Sequence, residues 1–344
     1  MRLCCTAICG IAVLAALAAC SGTATSPIAA SSALSAAKLN QPIGLPAMRV
    51  RDGRLHGVPA PAAAKSGLYV SEFSGANTLG YGSNNRRNRE PICTVPWTQS
   101  EVNDIAVDGK GALITPEGGG TVVVGAATGM CAPELQSIND TYGYAGDAAS
   151  SDAATSTIVV GNFRDNPYDA QPGSISVCTL ANGCTSNLTN PDIAGVVGVA
   201  LDKHGNCWAD SESFGSLPVL IYFAKCSGAG TVATSFQNTS FGGLDIDGSG
   251  NLVAMDETAN DVGQIWVYHG CNPGCRLIGG PFPMLGESVY GHLNPKGNRL
   301  AMADIAYGQV DIYSYSPTSV KYMYSFTKGL RASYEVQGTA YTTQ

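Results

Sequence analysis

Six polar side chains recur at intervals of 45 to 48 positions along this chain of 344 residues, and together they could bind a ligand. Five are carboxylates and one is a carboxamide: Glu72, Glu117, Asn162, Asp210, Asp256 and Asp304. Hard cations take oxygen ligands from several chain elements, so this set could hold a divalent cation or a polyhydroxylated molecule. Each member could instead cap its own loop by accepting backbone N–H groups, as Asp and Asn commonly do. We favour capping for any single member and treat the set as the default ligand face.

Other residue patterns that would carry catalysis are missing from the sequence. Asn103 and Asp104 offer further oxygen ligands just before a strand-forming run. The four histidines are scattered, so the sequence predicts no zinc cluster. It contains no Gly-x-Ser-x-Gly elbow for a hydrolase triad and no glycine-rich dinucleotide motif between a strand and a helix. We therefore expect no catalytic residues and no organic cofactor, and a divalent cation is the remaining candidate.

The segment 245–256 contains a second pattern of oxygen ligands. Asp245, Asp247, Ser249 and Asp256 match ligand positions of an EF-hand calcium loop. That motif needs a helix on each side, whereas the flanks here are the strand-like runs TSFGGL and LVAMDE. The related stretches VDGKG, LDKHG and LNPKG lack the full set of acids. A glycine-containing turn accounts for all four copies, so we predict a turn and keep calcium as the alternative for this single copy.

The same segment belongs to a repeat that predicts the fold. Residues 105–117, 199–210, 244–256 and 292–304 each read as a strand, a glycine-containing turn and a second strand that closes on an acid. A further strand pair follows each, while 42 glycines and the lack of helical periodicity argue against helices. Four strands per unit of about 47 residues is the β-propeller pattern, because such a sheet buries its faces only against neighbouring sheets.

The two ends of the repeat region complement each other. Residues 67–72 look like a second strand without a first, and residues 334–342 look like a first strand without a second. We predict an all-β, six-bladed propeller of four-stranded blades, closed where the C-terminal strand pairs with the N-terminal blade. Removal of the last ten residues should open the ring.

This organisation resembles the six-bladed NHL-repeat propellers and, more distantly, the gluconolactonase and senescence-marker family. The second resemblance implies a metal-dependent hydrolase or lactonase whose metal is held over the channel by Glu, Asn and Asp. Where the first of those ligands stands, this chain mostly has glycine, at Gly198, Gly243, Gly291 and Gly338. Only Asn103 and Asp104 offer oxygens there, so the chain departs from that enzyme pattern.

The N-terminus predicts export and anchoring. Residues 1–19 carry one Arg before a short apolar run, which is typical of a signal peptide. The run ends in Leu-Ala-Ala-Cys and resembles the bacterial lipobox, which implies lipidation of Cys20 and, with Ser21 following, an outer-membrane destination. An ordinary signal peptide that leaves Cys20 as a free thiol is the alternative. Residues 20–66 are rich in Ala, Ser and Pro and are predicted to be a tether, with the propeller at 67–344.

The cysteines agree with export. Eight lie beyond Cys20, and an even number in an exported chain favours disulfides over zinc ligands. Cys178–Cys184 and Cys271–Cys275 each flank a predicted turn, where hairpin geometry brings the thiols within bonding range. Cys207–Cys226 is predicted on neighbouring strands, and Cys93–Cys131 is the pair that remains.

The net charge of −7 and the lack of a long basic run exclude a broad nucleic-acid-binding face. The sequence therefore predicts a lipid-anchored propeller at the bacterial cell envelope that acts as a non-catalytic binding or scaffolding module. Its membrane contact would be the lipid anchor, and its ligand a protein or a glycan. The metal-dependent hydrolase or lactonase is the competing function.

Overall fold

The computed structural model describes residues 67–73, 77–82, 90–96, 102–109, 111–117, 120–125, 135–152, 156–164, 172–212, 218–235, 239–240, 242–258, 262–331 and 335–342. The predicted signal peptide, Cys20 and the tether lie outside these residues. None of the helices in the described ranges is both long and apolar enough to cross a membrane.

The regular secondary structure of the described chain is almost entirely β-strand, and its strands form six antiparallel sheets. Sheet 1 contains β1 (Gly67–Glu72), β2 (Asn77–Gly82), β3 (Cys93–Pro96) and the C-terminal β25 (Val336–Tyr341). Sheet 2 contains β4 (Ala106–Val107), β5 (Leu113–Glu117), β6 (Thr121–Gly125) and β7 (Leu135–Asn139). Sheet 3 contains β8 (Tyr144–Ser151), β9 (Thr157–Arg164), β10 (Ser174–Thr179) and β11 (Gly183–Leu188).

The remaining three sheets continue in chain order. Sheet 4 contains β12 (Gly195–Leu201), β13 (Cys207–Glu212), β14 (Val219–Phe223) and β15 (Thr231–Ser235), with a 3-10 turn at Ala224–Cys226. Sheet 5 contains β16 (Thr239–Ser240), β17 (Leu244–Ile246), β18 (Leu252–Thr258), β19 (Gly263–His269) and β20 (Arg276–Pro283). Sheet 6 contains β21 (Ser288–Leu293), β22 (Arg299–Asp304), β23 (Gln309–Ser316) and β24 (Ser319–Phe326). The four-stranded sheets among them have the form of β-propeller blades.

Sheet 5 departs from the predicted four strands. Both β16 and β17 pair with β18, at opposite ends of the same edge. Between them the pairing lapses around Gly242 and Gly243, although Met255 still donates its N–H to the Gly243 carbonyl at 2.9 Å. Sheet 5 therefore has five strands because its inner strand is interrupted. β16 and β17 together occupy the position that a single inner strand has in the other sheets.

Apolar clusters lie between sheets that follow one another in the chain. One example joins sheets 3 and 4 through Val159, Ile175, Val199 and Ile221, all nearly inaccessible to solvent. Similar clusters lie between sheets 1 and 2, 2 and 3, 4 and 5, and 5 and 6. Another contains residues of sheets 6 and 1. Each fully buried Leu, Val or Ile contributes about 1.5–3 kcal/mol, so the hydrophobic core of this fold is distributed between its blades.

The predicted pairing of the chain ends is present in sheet 1. β25 runs antiparallel to β1, with Leu68 opposite Tyr341 and Val70 opposite Thr339. The N–H of Gly67 also donates to Thr342 Oγ1 at 2.7 Å. The C-terminal strand thus supplies the inner strand of the sheet that begins the described chain.

The disulfides Cys178–Cys184, Cys207–Cys226 and Cys271–Cys275 are present, as predicted. The first disulfide links the adjacent strands β10 and β11, and the second links β13 to the 3-10 turn that follows β14. The third closes the short turn between β19 and β20. Cys93 is also disulfide-bonded, and its predicted partner Cys131 lies outside the described residues.

Candidate functional site

The six repeated polar residues occupy corresponding places in the six sheets. Each lies at or near the end of the strand that follows the inner strand, namely β1, β5, β9, β13, β18 and β22. All six are buried, with at most 2% of their surface exposed. A buried polar group has to be hydrogen-bonded to be tolerated, so the partners of these residues indicate what they do.

Glu72 fastens the segment that precedes the C-terminal strand. Its Oε1 accepts the backbone N–H of Arg331 at 2.8 Å, and its Oε2 lies 3.5 Å from Arg331 Nε. Burial raises the pKa of Glu72, and the hydrogen bond and charge of Arg331 oppose that rise. This carboxylate therefore ties the end of β1 to the segment of chain that leads to β25.

Asn162 and Asp256 also contact nearby chain. Asn162 Nδ2 donates to Ser176 Oγ at 2.8 Å and to Asp140 Oδ2 at 3.5 Å. Asp256 Oδ1 accepts the N–H of the next residue, Glu257, at 2.7 Å. The Asp256 contact matches the capping interpretation, whereas Asn162 bonds side chains outside its own loop. Glu117 and Asp210 are buried at the corresponding positions of their sheets.

Asp304 belongs to a buried network in sheet 6. Its Oδ1 accepts the N–H of Tyr307 at 3.2 Å, and Gln309 Nε2 donates both to Asp304 Oδ2 at 3.3 Å and to Asp311 Oδ1 at 3.0 Å.

The network continues from Asp311 to the loop before β21. Tyr313 Oη donates to Asp311 Oδ2 at 3.3 Å and accepts the N–H of Leu285 at 3.1 Å. Burial and the neighbouring Asp311 raise the pKa of Asp304 to about 7, and burial raises the pKa of Asp311 as well.

A second cluster, which sequence reasoning missed, joins three inner strands or their approaches. His292 Nε2 in β21 lies 3.4 Å from Asp104 Oδ1, just before β4, and His292 Nδ1 lies 3.6 Å from Asp245 Oδ2 in β17. The side chains of Asp104 and His292 are 2% and 13% exposed, and that of Asp245 is 21% exposed. From the sequence, His292 is only one of four scattered histidines, and this contact was not predicted.

The charges of this cluster reinforce one another. Burial alone would lower the pKa of His292, but the carboxylates of Asp104 and Asp245 outweigh it and raise that pKa to about 10. Burial raises the pKa of Asp104, while the positive imidazole opposes the rise. The geometry thus places one imidazole between two acidic side chains, so the charge of each group depends on that of its neighbours.

The repeat contains a signal that could have identified part of this cluster. Asp245 lies opposite Val253 and His292 lies opposite Ala301, which are corresponding positions of adjacent sheets. Side chains at matching positions on neighbouring inner strands face the same level of a propeller. The contact with Asp104 has no such signal, because it depends on how the chain approaches β4.

The EF-hand-like segment forms a turn between β17 and β18, not a loop between helices. Asp247 Oδ1 accepts the N–H groups of Ser249 and Asn251 at 2.9 Å, and Asp247 Oδ2 accepts Asn251 Nδ2 at 2.9 Å and Tyr315 Oη at 3.1 Å. Equivalent turns form at Asp108, Asp202 and Asn294. The predicted turn is confirmed, and Asp245 contacts His292 instead of joining Asp247.

Two other sets of potential metal ligands have different uses. Asp140, Cys178 and Cys184 bring ligand atoms within 4.8 Å of one another, but the two sulfurs are bonded to each other and are not thiolates. Asn103, the companion of Asp104 in the lactonase alternative, accepts Ser71 Oγ at its backbone carbonyl at 3.1 Å. Asp104 itself faces His292, so a cation at its carboxylate would compete with the imidazole.

No protein-family model and no curated protein matches this sequence. Solved structures do match it. A chain in the crystal structure of a nidogen/laminin complex superposes with a TM-score of 0.60 at 14% identity, over 81% of this chain and 99% of that chain. A chain of hydrazine synthase from Kuenenia stuttgartiensis superposes with a TM-score of 0.55 at 13% identity, over 77% of this chain and 80% of that chain.

At these identities the likeness concerns the fold alone. It agrees with the propeller seen in the strand pairing. It assigns the chain neither to the NHL-repeat proteins nor to the gluconolactonase family.

Proposed function

We propose that this chain is a six-bladed propeller, closed through β25, which acts as a non-catalytic binding module anchored by lipid to a bacterial envelope. The observation that carries the binding role is the network around Asp304 and Asp311. It fixes two loops that present large apolar side chains to solvent: Tyr307 is 65% exposed and Leu285 is 50% exposed.

Each of these exposed residues is held through its backbone. Tyr307 donates its N–H to Asp304, and Leu285 donates its N–H to Tyr313, which in turn bonds Asp311. Both loops leave the same side of sheet 6, because one follows its second strand and the other leads into its first. Aromatic and aliphatic side chains on rigid loops are typical anchors of protein interfaces, since little conformational entropy is lost when they bind.

We propose a protein as the ligand of this surface, with a glycan as the alternative. The fold is shared with a chain from a nidogen/laminin complex, which supports a protein partner by analogy of fold only. The polar residues beneath the loops support a binding role over a metal-dependent reaction, because Glu72, Asn162 and Asp304 already accept or donate hydrogen bonds within the protein.

A retention experiment tests the binding surface. The mature full-length chain would be immobilised and exposed to detergent-solubilised envelope proteins, next to the variant Leu285→Ala/Tyr307→Ala. We expect the double variant to lose at least tenfold of the retained partner, since each anchor residue contributes on the order of 1–2 kcal/mol.

The control for that experiment is Val232→Ala/Leu277→Ala, which alters one exposed residue of β15 and one of β20. This variant should retain the partner as the parent chain does. Equal retention by all three proteins would contradict the proposed surface, and hydrolysis of lactones by the parent chain would favour the enzyme alternative.

The proposed anchor has its own test. Cys20→Ser should move the chain from the membrane fraction to the soluble fraction and abolish incorporation of labelled palmitate, because a thioether-linked diacylglycerol needs the cysteine sulfur. If the Cys20→Ser variant stays in the membrane fraction, the proposed anchor is contradicted, but the proposed binding surface is not.

A further inference from the structure

We propose that Asp104, His292 and Asp245 form a proton-dependent clasp that ties sheets 2, 5 and 6 together at the inner edge of the propeller. The term clasp refers to these three residues below. This inference does not depend on the identity of any ligand.

The clasp links parts of the chain that no strand pairing connects. Asp104 precedes β4 of sheet 2, Asp245 lies in β17 of sheet 5, and His292 lies in β21 of sheet 6. Within the described part of the chain, sheets 2 and 6 do not pack directly on each other through an apolar cluster; instead, sheet 1 packs against sheet 2 on one side and against sheet 6 on the other. An ion pair between Asp104 and His292 therefore spans the sheet that the two chain ends build.

Close packing at Gly338 makes that span feasible. Gly338 lies in β25, the inner strand of sheet 1, and a Cβ atom there would stand 2.5 Å from the Asn103 carbonyl oxygen and 2.8 Å from Asp104 Cα. The chain before β4 thus lies directly against β25. This brings the Asp104 carboxylate past sheet 1 to the imidazole of His292.

A second contact fixes the other side of the clasp. Asp245 Oδ2 accepts the backbone N–H of Leu293 at 2.6 Å, besides facing His292 Nδ1. The side chain of Asp245 is therefore held against β21 whatever the charge of the imidazole. Only the links made by the ring nitrogens change when His292 gains or loses a proton.

The protonation state decides whether both links exist. Each ring nitrogen of His292 lies at ion-pair distance from an acidic side chain, 3.4 Å and 3.6 Å. The imidazolium is attracted to both, whereas the neutral ring presents an acceptor nitrogen to one of them. Among the described residues, the ionisable groups that face His292 are Asp104, from the approach to β4, and Asp245, from β17. Both favour the charged ring.

Stability should therefore depend on pH in a defined direction. The pKa of His292 is higher in the folded chain than the value of about 6.5 expected in the unfolded chain. The contribution of the clasp is complete below that unfolded value, declines as the pH rises above it, and is lost once the folded chain also releases the proton. Loss of one linked proton changes the folding equilibrium by at most about tenfold per pH unit.

Nuclear magnetic resonance of the mature full-length chain, labelled at histidine, tests the clasp directly. The sequence has four histidines, so His292→Gln assigns the signal of His292. We expect that signal to remain in the imidazolium form to above pH 8 and to titrate at lower pH in Asp104→Asn and in Asp245→Asn. Titration of His292 below pH 7 in the parent chain would overturn the proposal.

Chemical unfolding between pH 6 and pH 10 gives the second readout. The folding constant of the parent chain should exceed that of His292→Gln most at pH 6, and the ratio should shrink as the pH rises. His204→Gln, in an exposed turn, is the matched control and should follow the parent chain. A ratio between parent chain and His292→Gln that stays constant with pH would show that His292 only fills space.

Discussion

At the scale of single residues, aspartate carboxyl groups serve three different purposes in this chain. Asp247 accepts N–H groups of its own turn, Asp304 shares a buried network with another carboxylate, and Asp104 faces an imidazole. Their surroundings differ in the donors that they supply: backbone amides, a bridging carboxamide or a cation. The residue type alone therefore says little about what an aspartate does until the donors around its carboxyl group are known.

Asp304→Asn is expected to change how stability depends on pH. In the parent chain the pKa of Asp304 is raised to about 7 from an ordinary value of 3.8, so the stability present at low pH is lost as the pH rises through about 7. Asn cannot ionise and still offers an oxygen to the N–H of Tyr307. Relative to the parent, the variant should gain at most about 1.4 kcal/mol per pH unit between pH 5 and pH 7.

Thermal unfolding of both proteins across that range measures this gain. Asp192→Asn, at an exposed loop position, serves as the control because its side chain lies outside the buried network. Curves of Asp304→Asn and the parent chain that run parallel from pH 5 to pH 8 would count against a raised pKa at Asp304.

At the scale of secondary-structure elements, local signals were sufficient for hairpins and disulfides. The turns at Asp202 and Asp247 form from side chains within four residues of one another, and Cys178 meets Cys184 across a single hairpin. The interruption between β16 and β17 was not predicted. Glycines at 242 and 243 are compatible either with a strand or with a break, and the sheets that pack around them decide which of the two forms.

Gly338→Ala is expected to destabilise the chain by about 1–3 kcal/mol, because the added methyl group would overlap the Asn103 carbonyl and the Asp104 backbone. Denaturation by urea measures the change. Gly248→Ala is the control, since nothing lies within 4 Å of a Cβ atom there, and it should stay within about 0.5 kcal/mol of the parent. Equal effects of the two substitutions would show that β25 does not lie tightly against the approach to β4.

At the scale of the whole molecule, the ends of the described chain cooperate in one sheet. β25 covers the inner edge of β1, and the adjoining cluster of Leu68, Val70 and Val336 packs against Ala301 and Ile312 of sheet 6. Neither end could complete this sheet alone, since a strand edge without a partner leaves its N–H and C=O groups unpaired. The stability of the blades is therefore linked to the integrity of both ends.

Removal of residues 335–344 is expected to abolish cooperative unfolding of the native propeller, because it deletes β25 and exposes the edge of β1 together with Leu68 and Val70. Circular dichroism during heating, and proteolysis at room temperature, would report the loss. Removal of residues 343–344 alone leaves β25 complete and should behave as the full chain does. A truncated chain without β25 that melts like the parent would contradict closure through this strand.

The sequence by itself determined the strand repeat, the turn chemistry, three disulfide pairs and the pairing of the two end strands, because each follows from local residue spacing or from the need to complete a repeating unit. Only the tertiary structure decided that Asp104 lies near His292 and that Asp245 does too. It also decided which partners Glu72, Asn162 and Asp304 bind. Those contacts depend on where side chains from separate sheets converge, and in one sequence nothing links Asp104 to a histidine 188 positions later. The pKa of each group then depends on its burial and on the neighbours that the fold supplies.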